Sequence, residues 1–341
     1  MSDEVETMAF RAEGGLPWHG FGEPVNNNMT TTAMLKKAKL DWTVSKQPLY
    51  FPMQVAEGEK TRMRIVPDEY ALIRDSDQSV LDTVGSNFKP VQNHEVFDFF
   101  KRFVKAGDME METAGSLKGG KFVWALARIK DGAFELPKND RTECYLLLSQ
   151  PHQFGYSLTA ALTAIRVVCW NTISYALGAK LDGSGGHNKA TFRMVHSRAF
   201  DDDVKAEAEQ ALGLAHAGIK EYSFTAKMLS KSRARAGDVE EYFEQVLQLE
   251  RPENMTEVEL EDYLADLADN RTFKRFQESL VHAPGQDLFK GTWWNAFNAI
   301  TYTVDHVAGS AENRLYRGWY GSGSRMKHRA LEKAVEFAKA D

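Results

Sequence analysis

The clearest chemical pattern in this chain is cationic side chains set among flat rings. The last stretch carries Arg314, Tyr316, Arg317, Trp319, Tyr320, Arg325, Lys327, His328 and Arg329. Lys118 and Lys121 bracket a glycine pair, and Arg62 and Arg64 alternate along one segment. Lys227, Lys231, Arg233 and Arg235 crowd into KMLSKSRARAG. Arg166, with Trp170 and Asn171 close behind it, interrupts an otherwise apolar run. A single-stranded nucleic acid asks for this combination, because phosphates attract cations and unpaired bases stack on rings. The plainer reading of each run by itself is solvated charge on an amphipathic helix. The formal net charge of -6 opposes a uniformly basic surface, so any polyanion must be held by local clusters.

Other chemistries find less support. Glu110 and Glu112 fall two apart on one strand face, where they could converge on a metal, with Lys121 completing a Glu…Lys set. Two acids so spaced on a strand are more often simply solvated. The histidines show no His-Glu-x-x-His spacing. His306 follows Asp305 on a helix, where adjacent side chains point apart. The glycines after Leu117 join two strands, whereas a nucleotide-binding loop needs a strand, a longer loop and a helix. Gly183 to Gly186 lacks the lysine and serine of such a loop. No catalytic residue, metal or cofactor is therefore expected. Cys144 and Cys169, the two cysteines, lie in apolar runs and read as buried, reduced thiols.

The elements that must position these residues change character along the chain. Residues 1–28 read as an extended arm broken by Gly14, Gly15, Gly20 and Gly22, with Trp18 and Phe21 as apolar plugs. Residues 29–200 read as a β-rich α+β core. It holds a short helix from Thr30 to Leu40 capped by Thr31 or Thr32, and a meander from Asp41 to Val84. Asn93 is expected to cap a helix from His94 to Ala106 that carries Val96, Phe97, Phe100, Phe103 and Val104 on one face and ends at Gly107. Glu110–Leu117 and Phe122–Ile129 are expected to form a hairpin across Lys118-Gly119-Gly120. That hairpin and a strand from Tyr156 to Ile165 are expected in one antiparallel sheet, covered by the helix. Residues 201–341 read as a helical region, dense in acids from Asp238 to Asp269.

The stretch Thr163-Ala164-Ile165-Arg166-Val167-Val168-Cys169-Trp170-Asn171-Thr172 resembles the T-x-x-R-V-V-C-x-N-T signature of domain of unknown function 932, a phage- and plasmid-encoded family. Further matching pieces are Pro17-Trp18-His19-Gly20 with Gly22, Phe88 to Asn93, Glu112 to Leu117, and Asn298 to Tyr302 followed by Asp305-His306. One departure is Pro151-His152-Gln153-Phe154-Gly155, where the family's pattern leads to a His-Asp-Gly-Ser turn. The order of elements is also similar to the phage single-strand annealing proteins of the RecT, Erf and Red-beta group. That similarity implies annealing without a nucleotide cofactor, and a ring or filament.

The expectation is thus a nucleic-acid-binding protein of a phage or plasmid, acting on single-stranded DNA in replication or recombination. The residues expected to contact it are Lys118, Lys121, Arg166, Asn171, Arg314, Arg317, Trp319, Arg325, Lys327 and Arg329. A homo-oligomer in the cytoplasm of a bacterial host is expected, since no signal-peptide pattern and no apolar run of membrane-spanning length is seen. The alternative is a non-catalytic phage structural or host-interaction protein that presents its acidic helices to a partner.

Overall fold

The computed structural model describes residues 5–12, 22–27, 29–53, 61–105, 109–168, 171–174, 191–213, 215–249, 251–252, 255–309, 314–319 and 321–340. The first elements are β1 (Val5–Arg11), β2 (Glu23–Val25), α1 (Thr31–Lys37), β3 (Val44–Met53), β4 (Arg62–Arg74), β5 (Val80–Gly85) and α2 (Asn93–Lys105). Strands β6 (Met109–Leu117), β7 (Phe122–Ile129), β8 (Phe134–Leu136), β9 (Asp140–Pro151), β10 (Leu158–Arg166), β11 (Asn171–Ser174) and β12 (Thr191–Met194) follow. The rest is helical: α3 (Asp202–Gly213), α4 (Ala215–Leu229), α5 (Ala236–Leu247), α6 (Glu257–Asp269), α7 (Arg271–His282), α8 (Trp293–Tyr302), α9 (Arg314–Trp319) and α10 (Ser322–Ala340). The protein is α+β, with a helical C-terminal region. None of the helices described is long and apolar enough to cross a membrane.

The chain divides into two compact units, each assembled from three stretches. The first holds residues 1–130, 146–160 and 192–212, and the second holds 131–145, 161–191 and 213–341. The change from strands to helices near Phe200 falls inside the last stretch of the first unit.

In the first unit the strand order runs β9-β7-β6-β1-β2. The described parts of the expected arm are strands here. β1 pairs antiparallel with β6, and β2 adds to β1 in parallel, an exception to the antiparallel expectation. Gly115 allows this, because a Cβ there would meet the Thr7 carbonyl oxygen at 2.4 Å. The β6–β7 hairpin forms with the expected register, broken by a bulge at Glu112. Its turn places Lys118, Gly119 and Gly120 at φ of 53°, 63° and 85°. Gly120 is favoured by its positive φ, and a Cβ there would also meet Arg74 Nη1 at 2.8 Å.

Helix α2 packs on β6 and α1, burying Val96, Phe97, Phe99 and Phe100. Two caps differ from expectation. Thr30, one residue earlier than expected, caps α1 by accepting from Ala33 N at 3.2 Å. Asn93 begins α2 but does not cap it. It is buried, donates Nδ2 to the Leu40 carbonyl at 3.0 Å and pairs Oδ1 with His152 Nε2 at 2.8 Å. A cap exposed to water was less favourable than satisfying a buried imidazole. Residues 106–108, with the expected helix end at Gly107, lie outside the described residues.

Strands β3-β4-β5 form a separate sheet in the first unit. Beyond Pro48 and Tyr70 its register shifts, with Val66 to Glu69 of β4 opposite the single residue Leu49 of β3 and Asp68 at φ 57°. Past that bend β3 and β4 continue as a two-stranded ribbon, and Tyr50, Phe51, Met53, Met63 and Ile65 are exposed.

In the second unit β8 pairs with the near end of β9, and β10 pairs with β11. The helices close around an aromatic core of Tyr242, Phe243, Phe273, Phe276, Trp293 and Trp294. Tyr242 meets the Trp293 ring edge-on at 5.5 Å and donates its hydroxyl to the Ala330 carbonyl at 2.9 Å. That bond satisfies the one polar atom which a buried tyrosine brings inside.

Candidate nucleic-acid interface

The residues expected to contact nucleic acid fall into three groups once the fold is drawn. The first is buried. Arg166 lies within the second unit, its Nε 2.8 and 2.9 Å from the two oxygens of Asp140 and its Nη2 3.1 Å from the Gly285 carbonyl. Trp294 donates Nε1 to the same carboxylate at 3.1 Å, and its ring lies under the guanidinium. Lys327 is 1% exposed and bonds Asp305 at 2.7 Å. Burial pushes its ammonium pKa down, and the Asp305 carboxylate pulls it back. Trp319 is also 1% exposed. The corrections for the two cations share a cause. An apolar run or helix stripe that includes a cation reads from sequence as a basic surface, but here Arg166 and Lys327 each have a carboxylate partner inside. No base can stack on Trp319 in this fold.

The second group keeps some access to water. Arg317 and Arg325 are exposed, and Arg314 is half-buried. Arg329 is half-buried and donates Nε to the Val246 carbonyl at 2.6 Å. Asn171 belongs to none of the groups by its side chain, which lies outside what the structure describes; its backbone pairs in the ladder opposite Arg166.

The third group is the hairpin tip in the first unit. His152 N bonds the Lys121 carbonyl at 2.7 Å, so the turn after β9 lies against this tip. Two residues further on, Phe154 is exposed. Tyr156 meets Phe122 edge-on at 4.9 Å, with Lys118 Nζ 5.8 Å from the Phe122 ring. The Phe122 ring thus lies beside Lys118, with Tyr156 against it, and Gln153-Phe154-Gly155 belong to the turn that follows His152.

The best-formed basic and aromatic surface is elsewhere, on α4 of the second unit. Ile219, Tyr222, Ala226 and Leu229 bury one face of that helix. On the opposite face, Lys220, Phe224 and Lys227 follow at helical spacing, within about 60° of arc. Lys231, Arg233 and Arg235 continue from the helix end into the loop before α5. All five cations are exposed, and none forms an ion pair among the described residues. Phe224 is 73% exposed, the most of any large apolar side chain described. The KMLSKSRARAG run was legible in the sequence, but Lys220 and Phe224 were missed. The signal for them was present: spacing of four, then three, then four residues from Lys220 to Lys231.

The acids offered as a metal site are engaged otherwise. Arg128 Nη2 bonds Glu110 at 2.7 Å, which holds this carboxyl below its ordinary pKa, and Arg11 bonds Glu112 at 2.9 Å. Among the described residues no group of three or more metal-binding side chains comes together.

Fold and surface together define an α+β protein whose helical second unit carries a narrow cationic stripe around one exposed ring. The chain belongs to the family described as a domain of unknown function, DUF932, whose model matches residues 80–335. No curated protein matches the chain. No solved structure matches it.

Proposed function

We propose that this protein binds single-stranded nucleic acid along the outer face of α4 and the loop behind it. The observation that carries this reading is the α4 stripe. Phe224 stands in water between Lys220 and Lys227, where burial offers it nothing and a base would cover it. Single strands suit the stripe better than duplexes, because a ring can stack only on a base that is already unstacked. Lys220, Lys227 and Lys231 run over roughly 16 Å at 1.5 Å per residue, and Arg233 and Arg235 continue beyond them. Arg314, Arg317, Arg325 and Arg329, in the same unit, are further cations we assign to the strand, and the hairpin tip of the first unit, with Lys118 and Lys121, is a separate contact considered by itself.

The biological setting we assign is a phage or plasmid, in the cytoplasm of its bacterial host, where such binding serves replication or recombination. The order of elements, akin to the single-strand annealing proteins, supports this setting. The reading needs no cofactor. A second reading, a structural or host-interaction protein, draws on the exposed acids of α6, taken up below.

Fluorescence anisotropy with a labelled oligothymidine, titrated at several salt concentrations, tests the proposal. Phe224→Ala should cost on the order of 1–3 kcal/mol of binding. Lys227→Gln should weaken binding to all sequences alike and lower the salt slope by about one unit. A folded wild-type protein that leaves the oligonucleotide unbound at low salt would end this reading.

A further inference from the structure

The ribbon of β3 and β4 presents two unlike faces. Residues directly opposite in an antiparallel ladder share a face, and successive residues alternate. Tyr50 pairs with Ile65 and Pro52 with Met63, which makes one face uncharged. Phe51 pairs with Arg64 and Met53 with Arg62, which makes the other face half apolar and half basic. All four residues of that second face are exposed, and neither arginine forms an ion pair among the described residues. Pro48 and Pro52 lie on β3, one edge strand of this sheet, where proline hinders pairing with another strand. The ribbon is thus suited to binding by a face.

Helix α6 presents the complementary pattern. Thr256 and Glu259 form a capping box at its start, and Tyr263 and Leu267 hold it to its own unit, Tyr263 through a 2.9 Å bond to Glu244. The next row round the helix, Leu260 and Leu264, is left 38% and 41% exposed. Beyond it lie Glu257 and Glu261, both exposed and without an ion pair among the described residues. These residues form a two-by-two patch: an apolar pair beside an acidic pair. The ribbon carries an apolar pair beside a basic pair.

The spacings agree. Arg62 and Arg64, and likewise Phe51 and Met53, repeat about every 6.6 Å along a strand at about 3.3 Å per residue. Glu257 and Glu261, and Leu260 and Leu264, repeat about every 6 Å along the helix, four residues at 1.5 Å each. A helix laid along the ribbon puts both leucines on Phe51 and Met53 while each glutamate meets an arginine. The uncharged face of the ribbon, with Tyr50, Pro52, Met63 and Ile65, offers the acids of α6 nothing.

We propose that the basic face of the ribbon docks on α6 of a second copy of this chain, making a head-to-tail contact. Two different surfaces meet, so the contact is heterologous, and repetition closes a ring or extends a filament. The contact does not use the α4 stripe, so it stands or falls independently of the nucleic-acid reading.

Sedimentation velocity of nuclease-treated protein at low salt tests it. The wild type should associate in a concentration-dependent way, and added salt should weaken this association. Arg62→Glu with Arg64→Glu, or Glu257→Arg with Glu261→Arg, should each weaken it at least tenfold. All four substitutions in one chain should restore it, an outcome that mere loss of folding cannot give. A chain with Leu260→Ser and Leu264→Ser, mixed with a chain carrying Arg62→Ser and Arg64→Ser, should stop at a pair, because each supplies one intact surface. Met63→Ser with Ile65→Ser, on the other ribbon face, should change nothing. A monomeric wild type, a four-fold variant that fails to recover, or loss of association through Met63 and Ile65 alone would each overturn the proposal. Unchanged oligonucleotide binding in that event would leave the α4 reading intact.

Discussion

Arg166 and Asp140, 26 residues apart in sequence, meet as a buried ion pair whose side chains are 3% and 0% exposed. Both oxygens of Asp140 accept from the arginine, one also accepts from Trp294, and Gly285 comes close enough that a Cβ there would lie 3.2 Å from Arg166 Nη2. Such a pair is costly to break because the survivor stays buried and charged. Asp140→Leu or Arg166→Met should each destabilise the protein by about 3–5 kcal/mol. The double variant Asp140→Leu with Arg166→Met should lose less than the sum of the two single changes. Urea unfolding of the four proteins checks this, and strict additivity would contradict the coupling.

Trp319 and Lys327 should behave as core residues in the same way. Trp319→Ala should cost about 3–5 kcal/mol of stability, as large-to-small changes in a packed core do. Oligonucleotide anisotropy at a temperature where the variant is folded should show the wild-type affinity. A loss of about 1–3 kcal/mol with the fold intact would mean that a base stacks on Trp319 after all.

Local signals were legible where one element suffices to produce them. The apolar stripe of α2 and the glycines after Lys118 each specify a structure over a few residues. Pairings between distant residues were not. Nothing near Arg166 names Asp140, and nothing near Val5 says that it will lie beside Leu117. Basic residues were the hardest to place. Lys327 and Lys227 both sit among helix-forming residues, yet one is buried against Asp305 and the other is exposed. Only the opposite helix face decides, and for α4 that face was readable from Ile219, Tyr222, Ala226 and Leu229. On the ribbon, alternation predicted a strand, but it could not say that both faces would be left in water.

Cys144 should resist modification. It is buried and unbonded, and desolvation pushes its thiol up to about 12, so almost no thiolate is present at neutral pH. Alkylation followed by peptide mass spectrometry should label it slowly in the native protein and quickly in denaturant. Rapid native labelling of Cys144 would contradict its burial. Cys169 lies outside the described residues.

Acid should destabilise the first unit through His152. Its Nε2 is tied to Asn93, and burial pushes its pKa down from 6.5 to about 3, with His196 adding to the shift. His196 is itself shifted down by burial, in the same sense. The folded protein therefore keeps His152 neutral, while the unfolded chain takes up a proton below 6.5. Between those values the unfolded state binds more protons, so stability rises with pH. The contribution is fully present above the unfolded pKa and is lost as the pH falls toward the folded one. From pH 7.5 to 5, His152 should account for a loss of roughly 2 kcal/mol. Glu110, held low by Arg128, acts in the same direction only in the more acidic carboxylate range. Urea midpoints of the wild type and His152→Gln across this pH span separate the two sources. The variant should be less stable at pH 7.5 and should lose less on acidification. Parallel curves for the two proteins would show that His152 is not the group that titrates.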